Sequence, residues 1–355
     1  MASPVDWALA ERIALRTTGR EPFAESYHYH SLSSDFDRLT VQAEALVEEA
    51  TGLRSLAGPA RARVTDRAGW VRANIGSFQR MLRPLTDRLG DRLSGPIAPF
   101  ASRVAGAEVG LLLGFLSGRV LGQYDLLIVE DEQPDEQDIV YYVGPNVIAL
   151  EKRFGFPPAE FRLWLALHEV THRMQFTGVP WLRDHFLGLV HQALADVDPD
   201  PKRFLVALQR VAEALRQGRN PLEDGGVVTL IATPEQEKAL QQIGGMMSLL
   251  EGHGDVTMDR AGQDLIPSAG RFSRVLKQRR RQLDPASRFL AKLIGLEAKM
   301  NQYEQGERFI EVVESAGGQE LLHRAFAGPQ NLPTLDEIRA PDRWIDRMRP
   351  AGSAA

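Results

Sequence analysis

The sequence predicts a mainly α protein with a small β element, an α+β fold. Three observations point there. Apolar residues recur at helical spacing over long stretches, including 38–52, 77–92 and 181–220. The β-branched runs are few and short. Between them, Gly106, Gly110, Gly114, Gly118 and Gly122 recur every four residues. On a helix they form one smooth seam. Each interior glycine costs up to about 1 kcal/mol against alanine, so the seam calls for a reason. Close approach of a second helix backbone is that reason.

The elements follow in order. Residues 59–64 and 83–95 are rich in Arg, Asp and Gly and read as solvated faces and turns. After the glycine seam, Leu126-Leu127-Ile128-Val129 reads as a buried strand, and the acidic stretch 130–138 as a loop. Ile139 to Val143 and Asn146 to Leu150 read as a hairpin turning at Gly144-Pro145. Pro157 and Pro158 suit the first turn of a helix that runs through 161–177, with Gly178 and Pro180 as stop signals. Gly218-Arg219-Asn220-Pro221 is a turn cluster, and Val227 to Ile231 reads as a short strand. The basic run 277–281 reads as a solvated face. Domain organisation is expected as an N-terminal helical part (1–123), a metal-binding catalytic core (124–341) and a frayed tail (342–355), the two parts sharing one core.

Composition bounds the function. The 355 residues are 43% hydrophobic and 25% charged, as in soluble globular proteins, and can bury a large core. A net charge of −5 argues against a dedicated nucleic-acid binder. There is no cysteine, so disulfides and thiolate metal sites are excluded. Any metal must be held by histidine and carboxylate. The N-terminal residues lack a basic and an apolar region, and the most apolar stretch, Val109 to Ser117, is far short of the ~20 residues that span a bilayer. A cytoplasmic protein without membrane or nucleic-acid partners is expected; oligomeric state is left open.

The chemistry is carried by His168-Glu169-Val170-Thr171-His172, an H-E-x-x-H segment within the expected helix. Helix positions four apart lie on one face, about 5–6 Å apart at Cβ, so two imidazoles there can grip one metal ion. Zinc suits such ligands, and Glu169 stands where it can take a proton from the attacking water. A catalytic zinc site needs a third protein ligand. The candidate is Glu251, 79 residues past His172, with Asp255 one helical turn beyond it. Asp255 is placed to accept a hydrogen bond from the second nitrogen of a ligating histidine. His253 is the rival third ligand. It shares a face with Glu251 only if the helix breaks, which Gly252 and Gly254 would permit. Otherwise His253 is a candidate for steadying an oxyanion, as is Tyr303, four residues after Lys299 on a further expected helix. His185 and His191 read as ordinary helix residues.

These residues resemble the zincin metallopeptidase arrangement, in the branch whose third ligand is a glutamate. More closely, the chain resembles a family of zincin-like zinc metallopeptidases or hydrolases found mainly in actinobacteria, some members of which are associated with biosynthesis of a deazaflavin cofactor. The resemblance spans most of the chain. It rests on Gly118 to Asp125, Tyr142-Val143-Gly144-Pro145-Asn146, the H-E-V-T-H helix, Glu251-Gly252-His253 and Lys299 to Gly306. It implies zinc held by His168, His172 and Glu251, with Glu169 as general base, and a strand upstream of the helix that borders the cleft. The 139–150 hairpin is the expected strand. The Gly-His-Gly between Glu251 and Asp255 departs from the well-known glutamate-branch peptidases. The expected activity is zinc-dependent hydrolysis of an amide bond in a peptide or small amide. The alternative is a zinc-binding protein of the same fold that acts as a binding or assembly factor.

Overall fold

The computed structural model describes residues 4–19, 21, 23, 26–89, 98–126, 138–194, 233–281 and 296–349; for 84–89, 98, 279–281 and 296–304 it describes the backbone only. In chain order the elements are α1 (Trp7–Thr17), α2 (Tyr27–His30), α3 (Leu32–Thr51), β1 (Arg61–Thr65), α4 (Arg67–Leu89), α5 (Ala98–Ser117), β2 (Gly122–Tyr124), β3 (Ile139–Val143), α6 (Gly144–Phe154), α7 (Pro158–Gly178), α8 (Leu182–Leu194), α9 (Pro234–Gly262), α10 (Ala269–Arg281), α11 (Leu296–His323), α12 (Leu335–Arg339) and α13 (Pro341–Met348). The predicted class, mainly helical with one small sheet, is what the chain adopts. The expected strands at 127–129 and 227–231 and the turn at 218–221 lie outside the described residues.

The chain divides into two compact units, and the expected boundary at 123 runs through the first. That unit holds residues 1–180 and 257–281. Its sheet has the order β1-β3-β2, with β1 parallel and β2 antiparallel to β3. β3 reads Ile-Val-Tyr-Tyr-Val and every residue is buried, as a central strand covered on both faces requires. On one face Tyr142 stacks on Phe36 of α3, with ring centroids 3.8 Å apart, and its hydroxyl pairs with Thr40 Oγ1 at 2.8 Å. Tyr124 of β2, facing the same way, lies against Phe176 of α7. On the other face the indole N–H of Trp70 in α4 donates to Gln123 Oε1 at 2.8 Å.

Two local expectations give way here. Residues 61–65 are a strand, because the half-buried Arg-Ala-Arg-Val-Thr segment pairs with β3 along its whole length. Residues 146–150 are helical. Proline in the first turn, after Gly144, starts a helix at the end of β3, and the expected hairpin does not form.

The glycine seam is half as expected. Gly106, Gly110 and Gly114 sit on α5, where a Cβ would strike Asp6, just ahead of α1, and Ala10 and Thr17 within α1. The two helices therefore approach backbone to backbone. Gly118 and Gly122 fall beyond the helix, in a turn and in β2. By length and composition alone, Pro99–Ser117 is long and apolar enough to cross a membrane, in contrast to the shorter stretch read from sequence. Its glycine face is taken up by α1.

Helix α7 is pinned to the rest of this unit by two arginines. Arg173 is wholly buried. It meets Asp138 at 2.7 Å and Glu44 at 2.6 Å, and donates to the carbonyl of Gly58 at 2.8 Å. Arg162, three turns earlier, binds both carboxylate oxygens of Glu151 at 2.7 and 2.9 Å and also pairs with Asp35.

The second unit holds residues 181–256 and 282–355. Its core joins Leu249 of α9, Phe309, Ile310 and Val313 of α11, and Trp344 and Ile345 of α13. The expected fraying from Asp342 does not occur up to Arg349. Trp344 is fully buried and its indole donates to the Asn331 carbonyl at 2.7 Å, while Arg347 holds Glu337 at 2.7 Å.

Breaking a buried ion pair by removing one partner costs about 3–5 kcal/mol, because the other charge is left desolvated. Arg173→Met strands two carboxylates, so urea unfolding should show a stability loss of about 3–5 kcal/mol. A loss near zero would show that the network does not hold α7.

Candidate metal centre

Helix α7 begins with Pro157 and Pro158 and ends at Gly178, as its sequence requires. All but a few of its residues are buried. The exceptions matter: His168 and His172 are half-buried, while Glu169 is buried at 7% exposure. Two stripes run side by side. His168 and His172 share one; Glu169 and Arg173 share the next.

The imidazoles of His168 and His172 stand edge to face, with centroids 4.7 Å apart. Their Nε2 atoms are 3.3 Å apart. Two nitrogens bound tetrahedrally to one zinc at about 2.0–2.1 Å would be roughly 3.3–3.4 Å apart, so the pair already has the bite of a chelate. A hydrogen bond between two imidazoles would also span this distance. What it would not require is a carboxylate at the same point. A ligand oxygen of Glu251, 6% exposed on α9, completes a group whose ligand atoms all lie within 4.8 Å of one another. Two imidazoles and one carboxylate are a donor set that suits zinc and leaves a fourth position open.

The course of α9 bears on the alternatives left by the sequence. It is one continuous helix from Pro234 to Gly262, so Gly252 and Gly254 do not break it. His253, two residues past Glu251, is turned by roughly 200° around the axis. It is buried, with its ring edge-on to Phe326 at 5.3 Å, and is not in the cluster. Gly252 has another use. A Cβ there would collide with the backbone of Gly306 on α11, so the glycine allows the two helices to touch.

Glu169 faces the sheet. A Cβ on Gly122 of β2 would lie 2.6–2.8 Å from its Cγ, Cδ and Oε1. The carboxylate thus rests against the backbone of β2, one of the two edge strands among the described residues. The strand expected at 139–150 to border a cleft is, over 139–143, the central strand β3, paired on both sides.

Around His172, Nδ1 lies 3.0 Å from Oε1 of Gln175, a wholly buried residue three positions on. Asp255 is half-buried one turn beyond Glu251. Tyr303 lies on α11, with its side chain outside the described residues. His185 is on α8, where burial lowers its pKa, and it lies edge-on to Trp181. The sequence reading missed Gln175 and Gly122. The i+3 spacing from His172 was a usable signal for the first. Nothing local pointed to the second.

The pattern of the zincin-like metallopeptidase family matches residues 5–345, and the chain belongs to that family. A crystal structure from Chloroflexus aurantiacus, described as a candidate hydrolase with a novel fold, is similar over 98% of this chain and 100% of its own, at 31% identity and a TM-score of 0.71. No curated protein matches the chain.

A methyl group at position 122 has no space unless Glu169 moves. Gly122→Ala should therefore lower hydrolysis at least tenfold while zinc content stays at the wild-type level, read by elemental analysis and by turnover on one substrate. Unchanged turnover would show that the position of Glu169 does not depend on β2.

Proposed function

We propose that this member of the zincin-like metallopeptidase family is a zinc-dependent hydrolase of amide bonds in peptides or small amides. The observation that carries the reading is the convergence of His168, His172 and Glu251 within 4.8 Å, beside the buried Glu169. In this reading those three residues hold the zinc. When bound, zinc polarises a carbonyl and acidifies water towards a pKa of about 7.

Each residue then has a task. Glu169 takes the proton of the attacking water and passes it to the leaving amine. Its burial against β2 keeps the carboxylate in place for both transfers. Asp255 orients the ligating histidine that Gln175 does not serve. An extended peptide can lie along β2, an edge strand among the described residues, adding a strand by backbone hydrogen bonds. Of the two candidates for steadying the oxyanion, His253 already packs on Phe326, so Tyr303 is the first to vary.

Protein purified without a metal-affinity resin should carry about one zinc per chain, and His168→Ala and Glu251→Ala should lose it. Glu169→Gln should keep the zinc and lower turnover about 10²–10⁴-fold on peptide and amide libraries. Full activity in Glu169→Gln would remove the mechanism. A zinc-loaded wild type that cleaves nothing in broad profiling would favour the non-proteolytic binding or assembly role.

A further inference from the structure

The second nitrogen of a metal-binding histidine is usually held by a carboxylate, a backbone carbonyl or water. Here an amide side chain lies in reach of His172 Nδ1. Gln175 sits on the same helix, three residues on, with none of its surface exposed. Its Oε1 is 3.0 Å from Nδ1. Two features make this arrangement specific. The i+3 spacing on a rigid helix fixes where the amide can reach. Complete burial narrows the side chain to one arrangement, at an entropy cost that a solvent-facing glutamine would avoid.

The chemistry follows from the donor and acceptor inventory. An amide oxygen only accepts, so Nδ1 must carry the proton. Neutral imidazole then has its lone pair on Nε2, the atom that stands 3.3 Å from His168 Nε2 and in the cluster with Glu251. We infer that Gln175 is a positioning residue: it locks His172 in the Nδ1–H tautomer, with Nε2 ready to bind metal before any metal arrives. A carboxylate at this place would do the same while adding a negative charge to a buried site. The amide sets the tautomer without charge.

This inference rests on the zinc reading, but its first test does not. With 15N-labelled histidine and the metal removed, nitrogen chemical shifts report which ring nitrogen of His172 bears the proton. The wild type should show Nδ1–H, and Gln175→Leu should shift His172 towards the Nε2–H form that free imidazole side chains favour. Nε2–H in the wild type would overturn the proposal, since the amide would then be donating to Nδ1 through its nitrogen.

The second test is zinc affinity by chelator competition on the full chain, with cobalt(II) substitution to read the ligand field. Loss of such a partner typically costs about 10–100-fold in metal affinity. Gln175→Leu should show that loss and an altered cobalt spectrum. Gln175→Glu, which keeps an accepting oxygen at the same reach, should restore both. Wild-type affinity in Gln175→Leu, or equal loss in both variants, would overturn the proposal. If Gln175→Leu does not fold, Gln175→Met is read the same way. A wild type that takes up no zinc or cobalt but shows the Nδ1–H form would refute the zinc reading and leave the tautomer lock standing.

Discussion

The buried guanidinium of Arg173 is the interaction on which the site depends. It lies on the stripe of α7 next to the two histidines and directly beyond Glu169. Its partners come from three places: Glu44 on α3, Asp138 at the entry to β3, and the carbonyl of Gly58 ahead of β1. Planar, forked donors can satisfy such a set where a lysine cannot. The result is a helix held in rotation as well as position. With the Arg173 stripe turned to the sheet, Glu169 must lie on β2, and His168 and His172 must present the neighbouring stripe. Arg162 repeats the device near the start of the same helix, against Glu151 and Asp35.

Around this pinned helix, close contact is bought with missing side chains. Gly106, Gly110 and Gly114 let α5 meet α1, Gly122 lets β2 meet Glu169, and Gly252 with Gly306 lets α9 meet α11. The last of these sits immediately after Glu251. A residue chosen for packing thus neighbours one proposed for chemistry, and from sequence the two uses look alike. Glu251 itself is buried at 6% exposure and belongs to the group that could hold a metal ion.

Much of the helical framework was legible because helices are local. The 3.6-residue period and the stop signals at Gly178 and Pro180 set α7 within a few residues. The sheet was less legible. β1 reads Arg-Ala-Arg-Val-Thr, with no buried face to announce it, and becomes a strand only by pairing with β3. Residues 146–150 contain β-branched residues but follow Gly144-Pro145, and the proline starts a helix. The C-terminal segment looked polar and frayed; Trp344 alone converts it into part of a core by burying its indole.

By itself the sequence determined the H-E-x-x-H pair and its chelating face, because positions four apart on a helix meet whatever surrounds them. It also determined that a third ligand must be sought among histidines and carboxylates, since the chain has no cysteine. Only the tertiary structure shows that Glu251, and not His253, is grouped with that pair as residues that could hold a metal ion, on a helix that runs unbroken through both. It alone placed Gly122 against Glu169 and made β2 an edge strand among the described residues. Those choices depend on which distant segments bury surface together, and no local period in the sequence encodes that.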